Sequence, residues 1–332
     1  MEVNSRLEHS PNVLSVQNLA VTFSGSRGKV FAVKDVSLEV PAGSAVGILG
    51  ESGSGKSVAT LAILGLLDER TASVHGTAEF LGRDLLKLRN QQLRCIRGRE
   101  IGIVFQDPLS SLNPALRVET QIVETLKTHL GLDKHRATQR ALELLDMVEI
   151  TRAKDRLKSY PHELSGGMRQ RVMIAIAISC QPRLLIADEP TTALDVTVQA
   201  QILETLRRLI KDTQMSLLLI THDIGVISEI CENVAVLYAG RTVESLPLSN
   251  FLNSPTSCHP YSEALLNSRV FQVDQRGRRL SAIPGSPPDP NTEFVGCSFA
   301  PRCSYTTQKC HDKNPELKII APTHLMRCWE RK

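Results

Sequence analysis

Gly50-Glu51-Ser52-Gly53-Ser54-Gly55-Lys56-Ser57 is the stretch of sequence around which the chain is organised. It follows a short apolar run, precedes a helical pattern and matches the spacing G-x-x-x-x-G-K-[ST]. In such a loop the glycines let main-chain N–H groups turn toward phosphate oxygens, and the next helix adds its positive end. We expect Lys56 to hold the β- and γ-phosphates of a nucleotide and Ser57 to bind Mg²⁺. The expected nucleotide-binding residues of this loop are Gly50, Ser52, Gly53, Ser54, Gly55, Lys56 and Ser57.

Short apolar runs on either side of this loop indicate the fold class. They lack the alternation of a half-exposed strand, which is typical of central strands covered on both faces. These runs are Ser44–Leu49, Ile101–Phe105, Leu184–Ala187, Ser216–Ile220 and Val234–Tyr238. Helical patterns such as Thr197–Gln214 lie between them, so we expect an α/β protein with a mostly parallel central sheet.

The segment from about Leu112 to Gln181 differs, because it contains helical patterns and no clear strand. The three patterns are Val118–His129, Arg136–Val148 and Gly167–Ser179, and they predict a helical insertion in the sheet. After Glu244 the composition shifts toward Pro, Ser and Asn. Residues Pro284–Pro290 read as a linker, near which we expect a separate C-terminal unit to begin.

Composition narrows the class of protein further. The 332 residues are 42% hydrophobic and 22% charged, with a net charge of only +4 and no run of basic residues. Nothing here favours nucleic acid as a partner. The segment Met1–Asn12 lacks the apolar core of a signal peptide, and the longest apolar stretch, Val172–Cys180, is too short to span a membrane. We therefore expect a cytoplasmic protein whose membrane role, if any, runs through partners.

A second candidate site is the apolar run Leu184–Ala187, which ends in the two carboxylates Asp188 and Glu189. Buried strands seldom end in adjacent acids without a cation nearby. We expect Asp188 to bind Mg²⁺ through water and Glu189 to orient or deprotonate an attacking water. A plain acidic turn at a strand end is the alternative interpretation.

The string Leu164-Ser165-Gly166-Gly167-Met168-Arg169-Gln170-Arg171 resembles the signature motif of the ABC transporter ATPases, which other P-loop NTPases lack. The resemblance covers about residues 13–245 and implies an ABC cassette with an N-terminal antiparallel β part and a helical subdomain at about 112–181. In that family two cassettes sandwich two ATP molecules head to tail. Ser165, Gly166 and Gly167 would then contact the nucleotide of a partner subunit.

The same resemblance assigns further residues, in the order in which the family has them. Gln106 matches the glutamine that senses Mg²⁺ and faces the membrane subunit, and Asp195 matches the aspartate that crosses the dimer interface. His222 matches the histidine that contacts the γ-phosphate, so Glu189, His222 and Gln106 form the implied catalytic set. Phe23 stands where the family has an adenine-stacking aromatic, commonly a tyrosine.

Two further strings resemble the ATPases of dipeptide, oligopeptide and nickel importers. They are Gln106-Asp107-Pro108-Leu109-Ser110-Ser111-Leu112-Asn113-Pro114, and His259-Pro260-Tyr261 followed by Ala264-Leu265-Leu266. The resemblance implies an ATP-hydrolysing subunit that powers import of dipeptides or short oligopeptides from the cytoplasmic face of the bacterial inner membrane. Implied partners are a second ATPase subunit (a paralogue), two transmembrane permease subunits and an extracytoplasmic substrate-binding protein.

Other functions stay open at this point. Glutathione, antimicrobial peptides and nickel are alternative cargoes. A soluble ABC ATPase acting on ribosomes or DNA is a more remote alternative, because the chain has neither two cassettes nor a long coiled-coil insert. A sensor built around a vestigial ATPase would not need the complete catalytic motifs.

Four cysteines mark the C-terminal region, residues 246–332. Cys297, Cys303, Cys310 and Cys328 have the spacing C-x5-C-x6-C-x17-C. In a reducing compartment such a group points to a metal site, and gaps longer than C-x2-C favour a [4Fe–4S] cluster over zinc. Free or disulfide-linked thiols are the remaining alternative. Cys95, Cys180, Cys231 and Cys258 lack this grouping and read as buried or incidental residues.

Overall fold

A computed structural model describes residues 12–25, 28–268, 283–289, 291 and 295–331. Within these residues the chain forms twelve strands. They are β1 (Asn12–Gly25), β2 (Gly28–Pro41), β3 (Ala45–Leu49), β4 (Ala72–Phe80), β5 (Arg83–Asp84), β6 (Ile101–Val104), β7 (Leu184–Asp188), β8 (Ser216–Thr221), β9 (Asn233–Tyr238), β10 (Arg241–Pro247), β11 (Lys318–Ala321) and β12 (His324–Met326).

Twelve α-helices lie in the same described residues. They are α1 (Lys56–Ile63), α2 (Asn90–Ile96), α3 (Pro108–Ser111), α4 (Val118–Leu130), α5 (Lys134–Met147), α6 (Ala153–Leu157), α7 (Gly166–Ile178), α8 (Val196–Thr213), α9 (Ile224–Ile230), α10 (Leu248–Asn253), α11 (Pro260–Asn267) and α12 (Gln308–Asp312). None of the described helices is long and apolar enough to cross a membrane.

The central sheet has the strand order β5-β4-β1-β2-β10-β9-β3-β8-β7-β6. Strands β9, β3, β8, β7 and β6 run parallel, and every residue of β3 and β8 is buried. Burial on both faces is the reason these strands show no polar alternation in the sequence. The expected α/β class and the five central strands are confirmed, each within about one residue of its predicted bounds.

The N-terminal part is antiparallel, as the resemblance implies. Strand β1 pairs antiparallel with β2 on one side and with β4 on the other. The helical insertion is also confirmed, because α3 to α7 occupy the segment 108–178 without a strand. Its helices bury apolar stripes, as in α4, where Val118, Ile122 and Leu126 are fully buried.

The C-terminal region is not detached from the rest of the molecule. Residues 283–289 of the expected linker region form neither helix nor strand, and Pro290 lies outside the described residues. Beyond them, however, β12 pairs antiparallel with β10, so that Glu244 faces Met326. The extension thus adds a strand to the sheet of the cassette. It is also placed within reach of the phosphate loop.

Candidate nucleotide site

The phosphate loop connects β3, which ends at Leu49, to α1, which begins at Lys56. Gly55 has a φ of 96°, a left-handed conformation that side-chain-bearing residues rarely adopt. A Cβ on Gly50 would lie 2.3 Å from the carbonyl oxygen of Leu237. These two positions require glycine because the loop turns sharply while it is packed against β9.

Lys56 is buried under the loop that it follows. Its Nζ donates to the carbonyl oxygens of Gly50 at 2.7 Å and Glu51 at 3.0 Å. Burial lowers the pKa of this ammonium, and the nearby carboxylates of Glu189, Asp188 and Glu51 partly oppose that shift. The lysine therefore lies between the loop and the two strand-end acids, where it can exchange main-chain carbonyls for phosphate oxygens.

Asp188 is the last residue of β7 and lies beside the start of α1. Its pKa is raised by burial and by the charge of Glu189, whereas a hydrogen bond with Ser57 opposes the shift. Its Oδ1 atom is buried and has no hydrogen-bond partner. An unpaired buried carboxylate oxygen next to a hydroxyl group suits a hard cation such as Mg²⁺, so these residues fit the expected metal.

Glu189 receives three hydrogen-bond donors. Gln106 Nε2 and Thr192 Oγ1 each lie 2.9 Å from Oε2, and His222 Nδ1 lies 3.0 Å from Oε1. Burial alone would raise the pKa of this carboxyl, but the bonds from His222 and Thr192 hold it below its ordinary value. An ionised, fixed carboxylate at this place can accept a proton from a bound water.

The cavity at this site has a volume of about 540 Å³. It is lined by Gly50, Glu51, Ser52, Gln106, Glu189, His222, Leu265, Ser268 and Ile283. The last three residues follow the cassette in sequence, and Leu265 belongs to α11. The wall of the cavity is therefore built jointly by the phosphate loop, the acidic strand end and the C-terminal extension.

The signature residues lie outside this cavity. Ser165 caps α7, its Oγ accepting from the Met168 N–H at 3.3 Å, and Asp195 caps α8 by accepting from the Val198 N–H at 2.9 Å. A Cβ on Gly167 would lie 2.6 Å from Val198, so the starts of α7 and α8 are in contact. Gly166 begins α7.

Phe23 is not among the residues that line the cavity. It sits on β1, where it is half-buried and packs against the apolar core beneath the antiparallel strands. The structure thus brings Lys56, Ser57, Asp188, Glu189, Gln106 and His222 together. The signature residues, Asp195 and Phe23 are not among the residues that line the cavity.

The four C-terminal cysteines converge on a small cavity of about 10 Å³ beside Phe299. All four are free thiols. Burial raises the pKa of Cys303 to about 11 and also raises the pKa of Cys297 and Cys328, with the neighbouring thiols adding to each shift. Among the described residues, however, no three His, Cys, Asp or Glu side chains are arranged to hold a metal ion. The thiols share a cavity without forming a coordination shell.

Sequence reasoning missed two kinds of residue in this site. Thr192 bonds to Glu189 three residues away, and a hydroxyl at that spacing could have been noticed. Arg302 and Tyr261 contact Glu51 from 251 and 210 residues away. No pattern in the sequence signals such a contact.

Two family profiles match this chain, each over a different range of residues. The profile described as "ABC transporter" matches residues 33–192. The profile described as "Oligopeptide/dipeptide transporter, C-terminal region" matches residues 243–310, which include the helix α11 and three of the four clustered cysteines. The second match includes Leu265, Ser268 and Ile283, the residues of the extension that line the nucleotide cavity.

Several proteins are similar over almost the whole chain. The oligopeptide transport ATP-binding protein OppD of Salmonella typhimurium is 45% identical over 96% of this chain and 93% of its own length. The protein of the same name from Haemophilus influenzae is 45% identical over 96% of this chain and 97% of its own.

Two solved structures of ABC cassettes resemble about 71% of this chain. The dimeric bacterial ABC transporter cassette MJ0796 has a TM-score of 0.63 at 31% identity and covers 71% of this chain and 98% of its own. Its dimer in a post-hydrolysis state with ADP and Pi has the same TM-score at 30% identity, again over 71% of this chain and 98% of its own.

Proposed function

This chain belongs to the ATP-binding subunits of ABC transporters, in the branch that carries the oligopeptide/dipeptide C-terminal region, and we propose that it hydrolyses ATP to power import of dipeptides or short oligopeptides. The observation that carries the proposal is Glu189, held by Gln106 and His222 next to the phosphate loop. A fixed carboxylate at this place suits the attack of a water molecule on a phosphate. The C-terminal match at residues 243–310 supports peptide cargo.

Each residue of the site has its own role in the reaction. The phosphate loop and Lys56 bind the triphosphate, and Ser57 and Asp188 would hold the Mg²⁺ that accompanies it. Mg²⁺, when bound, neutralises charge on the phosphate oxygens. Glu189 orients and deprotonates the attacking water, and His222 contacts the γ-phosphate. Gln106 senses the metal, and release of the products reopens the site.

The signature residues and Asp195, which do not line the cavity, serve a second copy of the site. We propose that Ser165, Gly166, Gly167 and Asp195 contact the nucleotide held by a second ATPase subunit, a paralogue of this chain. A hydroxyl and main-chain N–H groups at the start of α7 suit an anion, and among the described residues Ser165, Gly166 and Gly167 do not line this chain's own nucleotide cavity. Phe23 would stack on the adenine with its ring.

The assembly we propose places the chain on the cytoplasmic face of the bacterial inner membrane. Its partners there are two transmembrane permease subunits, and an extracytoplasmic protein delivers the peptide. Phe105 and Leu109 beside Gln106 are exposed, at 39% and 61%, and such apolar side chains suit a protein contact. Nucleic acid has no part in this function.

We also propose a division into a cassette at residues 13–245, with its helical part at about 112–181, and an extension at 246–332. The C-terminal profile match beginning at residue 243 supports this boundary. For the extension we propose a [4Fe–4S] cluster held by Cys297, Cys303, Cys310 and Cys328, with zinc as the alternative. Support comes from the cavity of about 10 Å³ that the four thiols share, and the thiols would have to rearrange around the metal group to bind it.

Metal content tests the cluster directly. We expect protein purified without oxygen to contain about four iron and four sulfide per chain, and replacement of Cys303 and Cys310 by serine to remove both. Stoichiometric zinc without sulfide would replace the cluster with the zinc alternative. A metal-free protein with a folded extension would remove both metals from the proposal.

Uptake of a labelled dipeptide tests the cargo. Deletion of the gene should abolish uptake, and wild-type protein but not Glu189→Gln should restore it. The variant should still bind ATP, because the loop and Lys56 are unchanged, while turnover falls by about a hundredfold or more without its general base. Normal turnover in Glu189→Gln would overturn the catalytic assignment. Unchanged uptake in the deletion strain would instead move the cargo to longer peptides, glutathione, antimicrobial peptides or nickel.

A further inference from the structure

The C-terminal extension contacts the phosphate loop at Glu51. Arg302 donates through both terminal nitrogens to the Glu51 carboxylate, at 2.8 Å and 3.2 Å. The Arg302 side chain is only 6% exposed and the Glu51 side chain 27%. A two-pronged, largely buried ion pair of this kind is strong and fixes both partners in direction.

A second bond from the extension reaches the main chain of the same residue. The Glu51 N–H donates to the hydroxyl of Tyr261 at 3.0 Å, and Tyr261 is fully buried. The Glu51 carbonyl in turn accepts from Lys56 Nζ. All three polar groups of Glu51 are therefore engaged, two of them by the extension and the third by the lysine of the loop.

Arg302 is itself held in place by its surroundings. Its Nε donates to the carbonyl oxygen of Pro284 at 2.8 Å, and one terminal nitrogen lies 3.3 Å from the Tyr238 hydroxyl. Phe299 packs edge-on against Tyr238 and Tyr261, with ring centroids 5.2 Å and 5.4 Å apart. Arg302 therefore has two hydrogen-bond partners besides Glu51, and these restrict the positions that its guanidinium can take.

The segment that supplies these contacts belongs to the cysteine unit, by which we mean the part of the extension from Cys297 to Cys328. Phe299 and Arg302 lie between Cys297 and Cys303, and Phe299 lines the cavity on which the four thiols converge. The conformation of residues 297–303 thus determines at the same time where two thiols lie and where the Arg302 guanidinium lies. Leu265, Ser268 and Ile283 add to the contact by lining the nucleotide cavity.

We propose that Arg302 and Tyr261 are positioning residues of the nucleotide site, which hold Glu51 so that the phosphate loop is already curled to accept ATP. The inference rests on the proposed ATP-binding function of this loop. Neither residue touches the reacting atoms, so their contribution is to ATP affinity and not to the chemical step. Through residues 297–303 the folded state of the cysteine unit sets that affinity.

The test measures the KM for ATP, the kcat and the affinity for a fluorescent ATP analogue in the full-length protein. Arg302→Met should raise both KM and the dissociation constant by about tenfold, since a charge-assisted pair of hydrogen bonds is lost, with kcat at saturating ATP unchanged. Arg302→Lys keeps the charge but not the two-pronged geometry. Its KM and dissociation constant should lie between those of the wild type and those of Arg302→Met. Combining Glu51→Arg with Arg302→Glu should recover part of the affinity.

Arg331 offers a matched control. It pairs with Glu263 inside the extension and lies over the ring of Tyr305, just as Arg302 pairs with Glu51 and lies over the ring of Tyr238. Arg331→Met should leave KM and the ATP affinity unchanged. An equal loss of affinity in Arg302→Met and Arg331→Met would show a general structural effect and overturn the proposal.

Tyr261→Phe provides a second, milder variant in case Arg302→Met does not fold. It removes only the hydroxyl acceptor and should raise KM by about threefold with kcat unchanged. Wild-type KM in either folded variant would overturn the inference. Failure of the wild-type protein itself to bind ATP, with Lys56→Ala equally inactive, would instead refute the proposed function on which it rests.

Discussion

Glu189 shows how a single residue is prepared for its role before any nucleotide arrives. Its main chain has a φ of 47°, in the left-handed region that is uncommon for residues with side chains. Hydrogen bonds from Gln106, Thr192 and His222 fix the carboxylate, and only 14% of the side chain is exposed. At this turn Glu189 has partners different from those of Asp188, which has a hydrogen bond with Ser57.

Thr192 is expected to position Glu189 during catalysis. Thr192→Val keeps the shape but removes the donor 2.9 Å from Oε2, so the carboxylate is less firmly oriented and its pKa is less depressed. We expect kcat to fall by about fivefold with the KM for ATP unchanged. Thr192→Ser retains the hydroxyl and should retain most of the activity. Equal loss in the valine and serine variants would contradict this role.

At the scale of elements, the signature helix is tied to its neighbours by one buried arginine. Arg171 of α7 donates to the carbonyl of Val148 at 2.5 Å and to Glu149 at 3.2 Å, both just after α5. It also reaches Thr205 and Gln201 on α8, each at 3.3 Å. The start of α7 therefore cannot move without α5 and α8.

Arg171 and Arg208 form a natural comparison, because both pair with Glu149. The Arg171 side chain is 9% exposed and that of Arg208 42%. Arg171→Met should lower the free energy of unfolding by about 3 kcal/mol, since it leaves buried acceptors unpaired. Arg208→Met should lower the free energy of unfolding by less than about 1 kcal/mol. Urea unfolding of the two variants checks the difference, and equal costs would contradict it.

Through Glu149, the stability of the contact between α5, α7 and α8 depends on pH. Hydrogen bonds from Arg208, and then from Arg171, hold the pKa of Glu149 below its ordinary value. A carboxyl with a depressed pKa stabilises the fold above its ordinary pKa, and that contribution is lost as the pH falls. Glu149→Gln should therefore make the loss of stability between about pH 5 and pH 3 shallower. Glu143→Gln, on the exposed face of α5, should leave the slope unchanged; a change in both would refute the assignment.

At the scale of the whole molecule, the extension completes the cassette. Glu244 of β10 is fully buried and its Oε1 accepts from the His259 N–H at 3.0 Å, with His324 Nε2 at 2.8 Å. Arg327 adds an ion pair to Asp35 of β2 at 2.7 Å. The extension therefore closes the junction between the antiparallel strands and the parallel sheet, in addition to reaching the phosphate loop.

His324→Leu should loosen this junction. It leaves the buried Glu244 carboxylate without its side-chain partner, at a cost of about 3 kcal/mol. The chain has one tryptophan, Trp329, so its fluorescence reports on the extension while far-UV circular dichroism reports on the whole. Wild-type transitions by the two probes should coincide, and in His324→Leu the fluorescence transition should come first. The exposed His311→Leu should keep them coincident, and coincident transitions in His324→Leu would contradict the prediction.

The sequence by itself determined those features whose chemistry lies within a few consecutive residues. Buried runs such as Leu184–Ala187 identify central strands because both faces are covered, and the glycine spacing of the phosphate loop is dictated by the turn that it makes. The pair of acids at the end of β7 and the helix start at Ser165 could be predicted for the same reason.

Only the tertiary structure decided how these pieces meet. Gln106, Glu189 and His222 converge because parallel strands bring their carboxyl ends to one edge, and the exact bonds depend on packing between elements. The pairing of Arg302 with Glu51 joins residues 251 positions apart. Such a contact leaves no periodicity or composition in either segment, since each residue alone is an ordinary charged side chain. Folding therefore decided that the extension would be part of the nucleotide site.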